Sequence, residues 1–299
     1  MPTLSTVGGT LTATPPFDFD QSLRFITSFT PAMGDQVMTS TSVAKAVRQN
    51  GQTYSFRVRS SGSVEAPILE YTLYAQHPIT AEIRAALEDR ITHYLSLKDD
   101  LRPFYKLAES DPHFKPVMQK LYGHHQVKFL TPFENAAWAV LSSRNTMAAA
   151  RTLKNRITEA FGSKIELGGE ALPAFPEPDD ILPHAPGDLA AVIGNEKRAE
   201  YIWNAARGLA AVEESWLRTA DFDAVHEYLL DIKGVGAWTA HFMMIRSLGH
   251  MERLMAPEKR VIEAASRVYG RKLDEAEFKA LAEPYGDYKG YWAYYLRNA

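Results

Sequence analysis

The residues of this chain best placed to do chemistry sit in one short stretch, Leu229–Ala240, which reads LLDIKGVGAWTA. Before it, Phe222, Val225, Tyr228, Leu229 and Ile232 recur at helical spacing, which predicts an amphipathic helix over Asp221–Ile232 with Asp221 as its N-cap. A second helix is expected over Ala237–Leu248, closed by Gly249. Gly234 and Gly236 stand between the two. A Gly-x-Gly turn that opens a helix exposes backbone N–H groups with no side chain in the way, an anion seat that suits a phosphodiester. The same turn could also be a tight corner with no guest.

The elements that must position this turn can be read around it. Residues 1–16 are rich in Thr, Gly, Ser and Pro and are expected to form a flexible arm. A short helix over Gln21–Thr30 follows, then strand-like segments at Gln36–Thr41, Thr53–Arg59 and Ile68–Tyr74, with Asn50-Gly51 as a hairpin turn. A helix over Ile79–Leu97 completes an α+β unit, residues 17–100. From residue 101 to 299 the signals are helical almost throughout. Helices are expected at Phe133–Leu141, Thr146–Phe161, Leu189–Gly194 and Arg198–Leu209, with a Pro-rich loop at Leu172–Pro186. The fold class is therefore an α+β N-terminal domain followed by an all-α core that holds the helix-hairpin-helix.

Composition narrows the function classes. The 299 residues carry a net charge of -3, a mild point against a nucleic-acid partner, because phosphate contacts normally need a basic footprint. Charge can be segregated, however. Lys259, Arg260, Arg267, Arg271 and Lys272 cluster beyond the hairpin, with Lys233 in the turn and Arg246 on its second helix. They form either a solvated face or a strip of phosphate contacts. The absence of cysteine excludes disulfides, thiolate zinc sites and a four-cysteine iron–sulfur cluster. No apolar run approaches a membrane span and no signal-peptide pattern opens the chain, so a cytoplasmic protein, nucleoid-associated if bacterial, with no membrane partner is expected, and nothing in the sequence suggests more than a monomer.

LLDIKGVGAWTA closely resembles the helix-hairpin-helix of the base-excision DNA glycosylases, in particular the AlkA-type 3-methyladenine DNA glycosylase II branch, which has a Trp after the glycines as Trp238 does here. The likeness spans about Phe17 to the C-terminus and is firm from Pro132. It takes in the PFDF opening, the Phe133-Glu134 helix start, the Phe-Pro-x-Pro loop and the Gly-x-x-x-Arg-Ala step at Gly194–Ala199. It implies a monofunctional enzyme of alkylation repair that flips an alkylated purine out of duplex DNA and hydrolyses its N-glycosidic bond. Gly234, Val235, Gly236, Thr239 and Lys233 would hold the DNA backbone, with Arg260 as a further phosphate contact. Arg144, in the Ser142-Ser143-Arg144-Asn145 connection, would be the wedge that fills the gap. Trp238 and Phe242 would receive the base, since electron-poor alkylpurine cations are drawn to aromatic faces. No cofactor is implied. Family members often share a monovalent cation with the hairpin carbonyls, and the iron–sulfur cluster of another branch is excluded here.

At one place the pattern breaks. The superfamily places an Asp after the second hairpin helix, where its charge stabilises the cationic sugar as the bond breaks. Here the stretch is Leu254-Met255-Ala256-Pro257-Glu258-Lys259-Arg260-Val261-Ile262, and no Asp occurs between Asp231 and Asp274. Aligned on Pro257 and Ile262, the position falls on Lys259; counted from Trp238, it falls on Glu258. Either Glu258 does the electrostatic work, or Lys259 replaces the acid and the protein is a damage-recognition DNA-binding protein with little or no catalysis.

Overall fold

The computed structural model describes residues 4–254 and 258–299. The N-terminal unit is a five-stranded antiparallel sheet in the order β1-β5-β4-β3-β2, formed by β1 (Ser5–Thr12), β2 (Gln36–Met38), β3 (Ser42–Gln49), β4 (Gln52–Ser60) and β5 (Ile68–Ala75). Helix α1 (Phe19–Ser28) precedes β2, and α2 (Ala81–Tyr94) follows β5. Asn50 and Gly51 turn β3 into β4 with φ of 51° and 69°, the left-handed pair that a two-residue hairpin demands. Phe19, Leu23 and Ile26 of α1 and Leu87 and Ile91 of α2 close this core against Phe56, Tyr71 and Leu73 of the sheet.

Two expectations change here. Residues 5–12 are not a flexible arm: they form β1, in register with β5 from Ser5↔Ala75 to Thr12↔Ile68. The segment reads as loop because Gly and Thr dominate it, yet ladder bonds to a neighbouring strand supply what its side chains lack. Gly9 is needed there, because a Cβ would sit 2.3 Å from the Tyr71 hydroxyl. The second change is β3, whose SVAKAVRQ carries no clean alternation because the strand is buried along most of its length.

The remainder is helical: α3 (Arg102–Ala108), α4 (Lys115–Lys120), α5 (Pro132–Ser142), α6 (Met147–Phe161), α7 (Pro178–Ile181), α8 (Pro186–Ile193), α9 (Glu196–Ala210), α10 (Glu214–Thr219), α11 (Phe222–Asp231), α12 (Ala237–Met243), α13 (Lys259–Val268), α14 (Glu275–Ala282) and α15 (Lys289–Arg297). Between α6 and α7 the helical core carries a short hairpin, β6 (Ser163–Leu167) and β7 (Glu170–Ala174). Its Ile165, Leu167, Leu172 and Ala174 pack on Ala44 and Ala46 of β3. Helix α5 runs through the centre with every residue buried, against α6, α9 and α12. Most of the C-terminal aromatic run is core: Tyr291, Trp292 and Tyr295 are buried with Phe104 and Phe114.

A buried ion cluster joins the two units. Lys154 of α6 is 1% exposed and pairs with Glu134 of α5 at 2.6 Å, with Asp35, and with the Pro31 carbonyl at 2.9 Å. Burial would lower its pKa, but the two carboxylates win and hold the ammonium charged. Among the described residues no helix is long and apolar enough to cross a membrane.

Candidate active site

The turn between α11 and α12 has the geometry that its two glycines demand, and they differ. Gly234 has φ +99°, and a Cβ there would lie 2.3 Å from the Tyr201 ring carbons, so it is a packing glycine. Gly236 is extended, with φ −91° and ψ 173°, and a Cβ would meet nothing within 4 Å. No side chain caps α12, so its first N–H groups have no partner from a capping residue. Val235 is buried and donates its N–H to the Ile232 carbonyl at 2.9 Å, which locks the corner. Thr239 is partly exposed, and Lys233 is exposed and paired with Glu200 at 2.5 Å.

Arg144 lies in the connection between α5 and α6, exposed, with φ +52°. A non-glycine residue in that region costs about 1–2 kcal/mol. Its neighbours hold the bend: Asn145 donates its side-chain N–H to the Leu141 carbonyl at 3.3 Å, and Arg198 donates to the Ser143 carbonyl at 2.9 Å.

Trp238 and Phe242, one turn apart on α12, stack in parallel with centroids 5.0 Å apart and planes 11° apart. Trp238 is 43% exposed and does not line the nearby cavity, whereas Phe242 does. That cavity, of about 80 Å³, is walled by Phe242, Leu254, Val261 and Tyr294, with the side chain of Glu258 on its lining. It has room for more than one water, which needs ~10–15 Å³.

The structure separates the two candidates for the acid. Glu258 caps the start of α13 and lines the cavity, paired with Arg297 at 3.2 Å and with Arg260 at 3.7 Å. Lys259 is turned away: its side chain is 91% exposed and its partner is Glu263 at 3.7 Å, one turn along α13. Pro257, used for the competing alignment, lies outside the described residues.

The basic residues read as either a solvated face or a strip of phosphate contacts do not all reach the surface. Arg246 leaves it altogether, for its guanidinium is buried over the rings of Phe25 and Phe29, both at 5.1 Å, and Tyr294 at 6.0 Å. Burial in this aromatic cage pulls its pKa down to about 10. The reason is the end of the hairpin's second helix: Met244–Leu248 winds as a π-helix, which re-aims this turn inward. Arg271 is tied to Glu277, and Arg260 remains exposed.

Several lining residues have no sequence signal of their own. Gln126 comes from an irregular segment between α4 and α5, and Arg297 from the last helical turn of the chain. Only the close packing of α15 against α13 brings Arg297 to Glu258. Among the described residues no group of three or more His, Asp or Glu is placed to hold a metal ion.

Comparison with known proteins agrees with this architecture. Residues 137–285 match the family described as HhH-GPD superfamily base excision DNA repair protein. A Bacillus subtilis protein named DNA-3-methyladenine glycosylase is 30% identical over 223 residues, covering 73% of this chain and 74% of its own. Among solved structures, the 3-methyladenine DNA-glycosylase from Archaeoglobus fulgidus superposes with a TM-score of 0.78 at 21% identity, over 97% of both chains. The apo form of the Clostridium acetobutylicum 8-oxoguanine glycosylase/lyase superposes with a TM-score of 0.66 at 17% identity, over 98% of this chain and 97% of its own. The hairpin that closes on Gly234 and Gly236, the sheet in front of it and these likenesses together make the chain a member of the HhH-GPD superfamily of base-excision DNA repair proteins, in its AlkA-type branch.

Proposed function

We propose that this protein excises alkylated purines of the 3-methyladenine class from duplex DNA as a monofunctional glycosylase. The observation that carries the reading is that Glu258 lines the same cavity as Phe242, whose ring stacks on the half-exposed Trp238. A purine alkylated on a ring nitrogen is already a cation and a good leaving group. As the C1′–N9 bond breaks, its electron pair leaves with the base, which departs neutral, and positive charge builds on the sugar. The Glu258 carboxylate faces that charge; water then adds at C1′ and one proton goes to solvent. A fixed charge is worth several kcal/mol to such a transition state once bound DNA screens the site from water. The B. subtilis relative, named for 3-methyladenine, supports the choice of substrate class.

In this reading Gly234, Val235, Gly236 and Thr239 present the hairpin to a phosphodiester, assisted by Lys233 and Arg260. Arg144 enters the stack. Trp238 and Phe242 guide the flipped base. The exposed Lys259 lacks the desolvation that would make it a nucleophile, which favours hydrolysis over amine chemistry.

The test is single-turnover release of base from methylated duplex DNA by the wild type and by Glu258→Gln. The variant should lose about 10²–10³-fold in rate while still binding abasic-site DNA. Unchanged release would remove Glu258 from the mechanism, and no release by the wild type would overturn the substrate class.

A further inference from the structure

The lining of the cavity carries polar groups that nothing among the described residues satisfies. Gln126 is 0% exposed, lines the cavity, and neither its amide nitrogen nor its amide oxygen has a hydrogen-bond partner among the described residues. Arg246, 7% exposed, lines the same cavity, and its Nη2 is likewise without a partner. Nearly all buried side-chain polar atoms in folded proteins are paired, and each one left alone costs about 1–3 kcal/mol. Three such atoms around one cavity, beside the carboxylate of Glu258, are groups held ready for a guest.

Their chemistry describes that guest. The amide nitrogen and Nη2 are donors, and the amide oxygen is an acceptor. A complementary base edge offers two acceptors and one donor. An adenine alkylated at N3 keeps such an edge: ring nitrogens N1 and N7 accept and the N6 amino group donates. A guanine alkylated at N7 has lost that acceptor and offers O6 beside the N1–H and N2 donors. Amides pair with the adenine N6/N7 edge elsewhere in nucleic-acid recognition for the same reason. The cage of Phe25, Phe29 and Tyr294 meanwhile fixes the guanidinium plane, so the donor is aimed before the base arrives.

We propose that Gln126 and Arg246 are specificity-determining residues, which read the hydrogen-bonding edge of the flipped base and select alkylated adenines over alkylated guanines. This rests on the assignment of the cavity as the base pocket. DNA treated with a methylating agent carries both 3-methyladenine and 7-methylguanine, so one sample reports both single-turnover rates. Gln126→Leu keeps the bulk of the side chain and removes the amide. It should slow 3-methyladenine release at least about fivefold more than 7-methylguanine release, and Arg246→Gln should act in the same direction. Affinity for abasic-site DNA, which presents no base, should hold and also reports a folded protein. If Gln126→Leu does not bind abasic DNA, Gln126→Glu, which exchanges a donor for an acceptor at the same shape, carries the test. A ratio of the two rates that stays at the wild-type value in a variant that binds abasic DNA overturns the proposal alone. A wild type that releases neither base overturns the pocket assignment and this proposal with it.

Discussion

The two glycines of the hairpin should respond oppositely to the same substitution. At Gly234, alanine meets two penalties. Its φ of +99° is one that L-residues avoid, at about 1–2 kcal/mol. Its methyl would also sit 2.3 Å from Tyr201, a ring packed against the core, and overpacking of that kind costs about 1–3 kcal/mol. Gly234→Ala should therefore destabilise the protein by roughly 2–5 kcal/mol, and any loss of DNA binding would follow from that. At Gly236 the backbone is extended and the space open, so Gly236→Ala should change stability by less than about 0.5 kcal/mol. Its cost appears only when a phosphate approaches the α12 amides. The lost charge-assisted bond is worth about 1.5–3 kcal/mol, roughly tenfold or more in Kd. Urea unfolding gives the first quantity, and fluorescence anisotropy with abasic-site duplex at fixed salt gives the second. Equal destabilisation by the two substitutions, or undiminished binding by Gly236→Ala, would refute the division into a packing glycine and a DNA-contacting one.

Other parts of the structure yield further expectations. Lys154→Met takes from Glu134 and Asp35 the cation paired with them, leaving the buried Lys45 nearby, and should cost about 3–5 kcal/mol in urea unfolding; a loss below 1 kcal/mol would mean that Lys45 or water compensates the two carboxylates. Burial raises the Glu177 carboxyl from an ordinary 4.5 to about 8, and its Oε1 has no partner among the described residues. The folded state then keeps a proton that the unfolded chain gives up, so stability falls as pH rises from about 4.5 to 8. Gln at this position cannot ionise, so the stability advantage of Glu177→Gln over the wild type should be larger at pH 8 than at pH 5, by on the order of a few kcal/mol; equal or reversed differences would contradict the burial argument. Arg144→Gly relieves the φ of +52° while adding glycine's chain entropy, so melting should barely move. Base release should nonetheless drop about tenfold or more as the flipped state loses its wedge, and unchanged release would rule out that role.

Much of this protein was determined by local sequence. Asp221 as a helix cap, the helices either side of Gly234 and Gly236, the Asn50-Gly51 turn and the α+β-then-helical order follow from periodicity, capping and turn chemistry, which act over a few residues. The resemblance of Leu229–Ala240 to the glycosylase hairpin named the family by the same short text. What tertiary structure alone decided lies where distant segments meet. Ser5–Thr12 is a strand because β5 offers it a ladder, not because its side chains ask for one. Arg246 sits on the hairpin's second helix and reads as one more surface cation, yet a π-turn and the rings of α1 and α15 bury it. Glu258 and Lys259 are adjacent and both could have stood for the missing Asp; the start of α13 sends one into the cavity and the other into solvent. Glu258 is the extended N-cap residue and Lys259 the first helical one, so their side chains diverge at the boundary, and which of them faces inward is fixed by the packing of α13 on α15, a relation that no local pattern records.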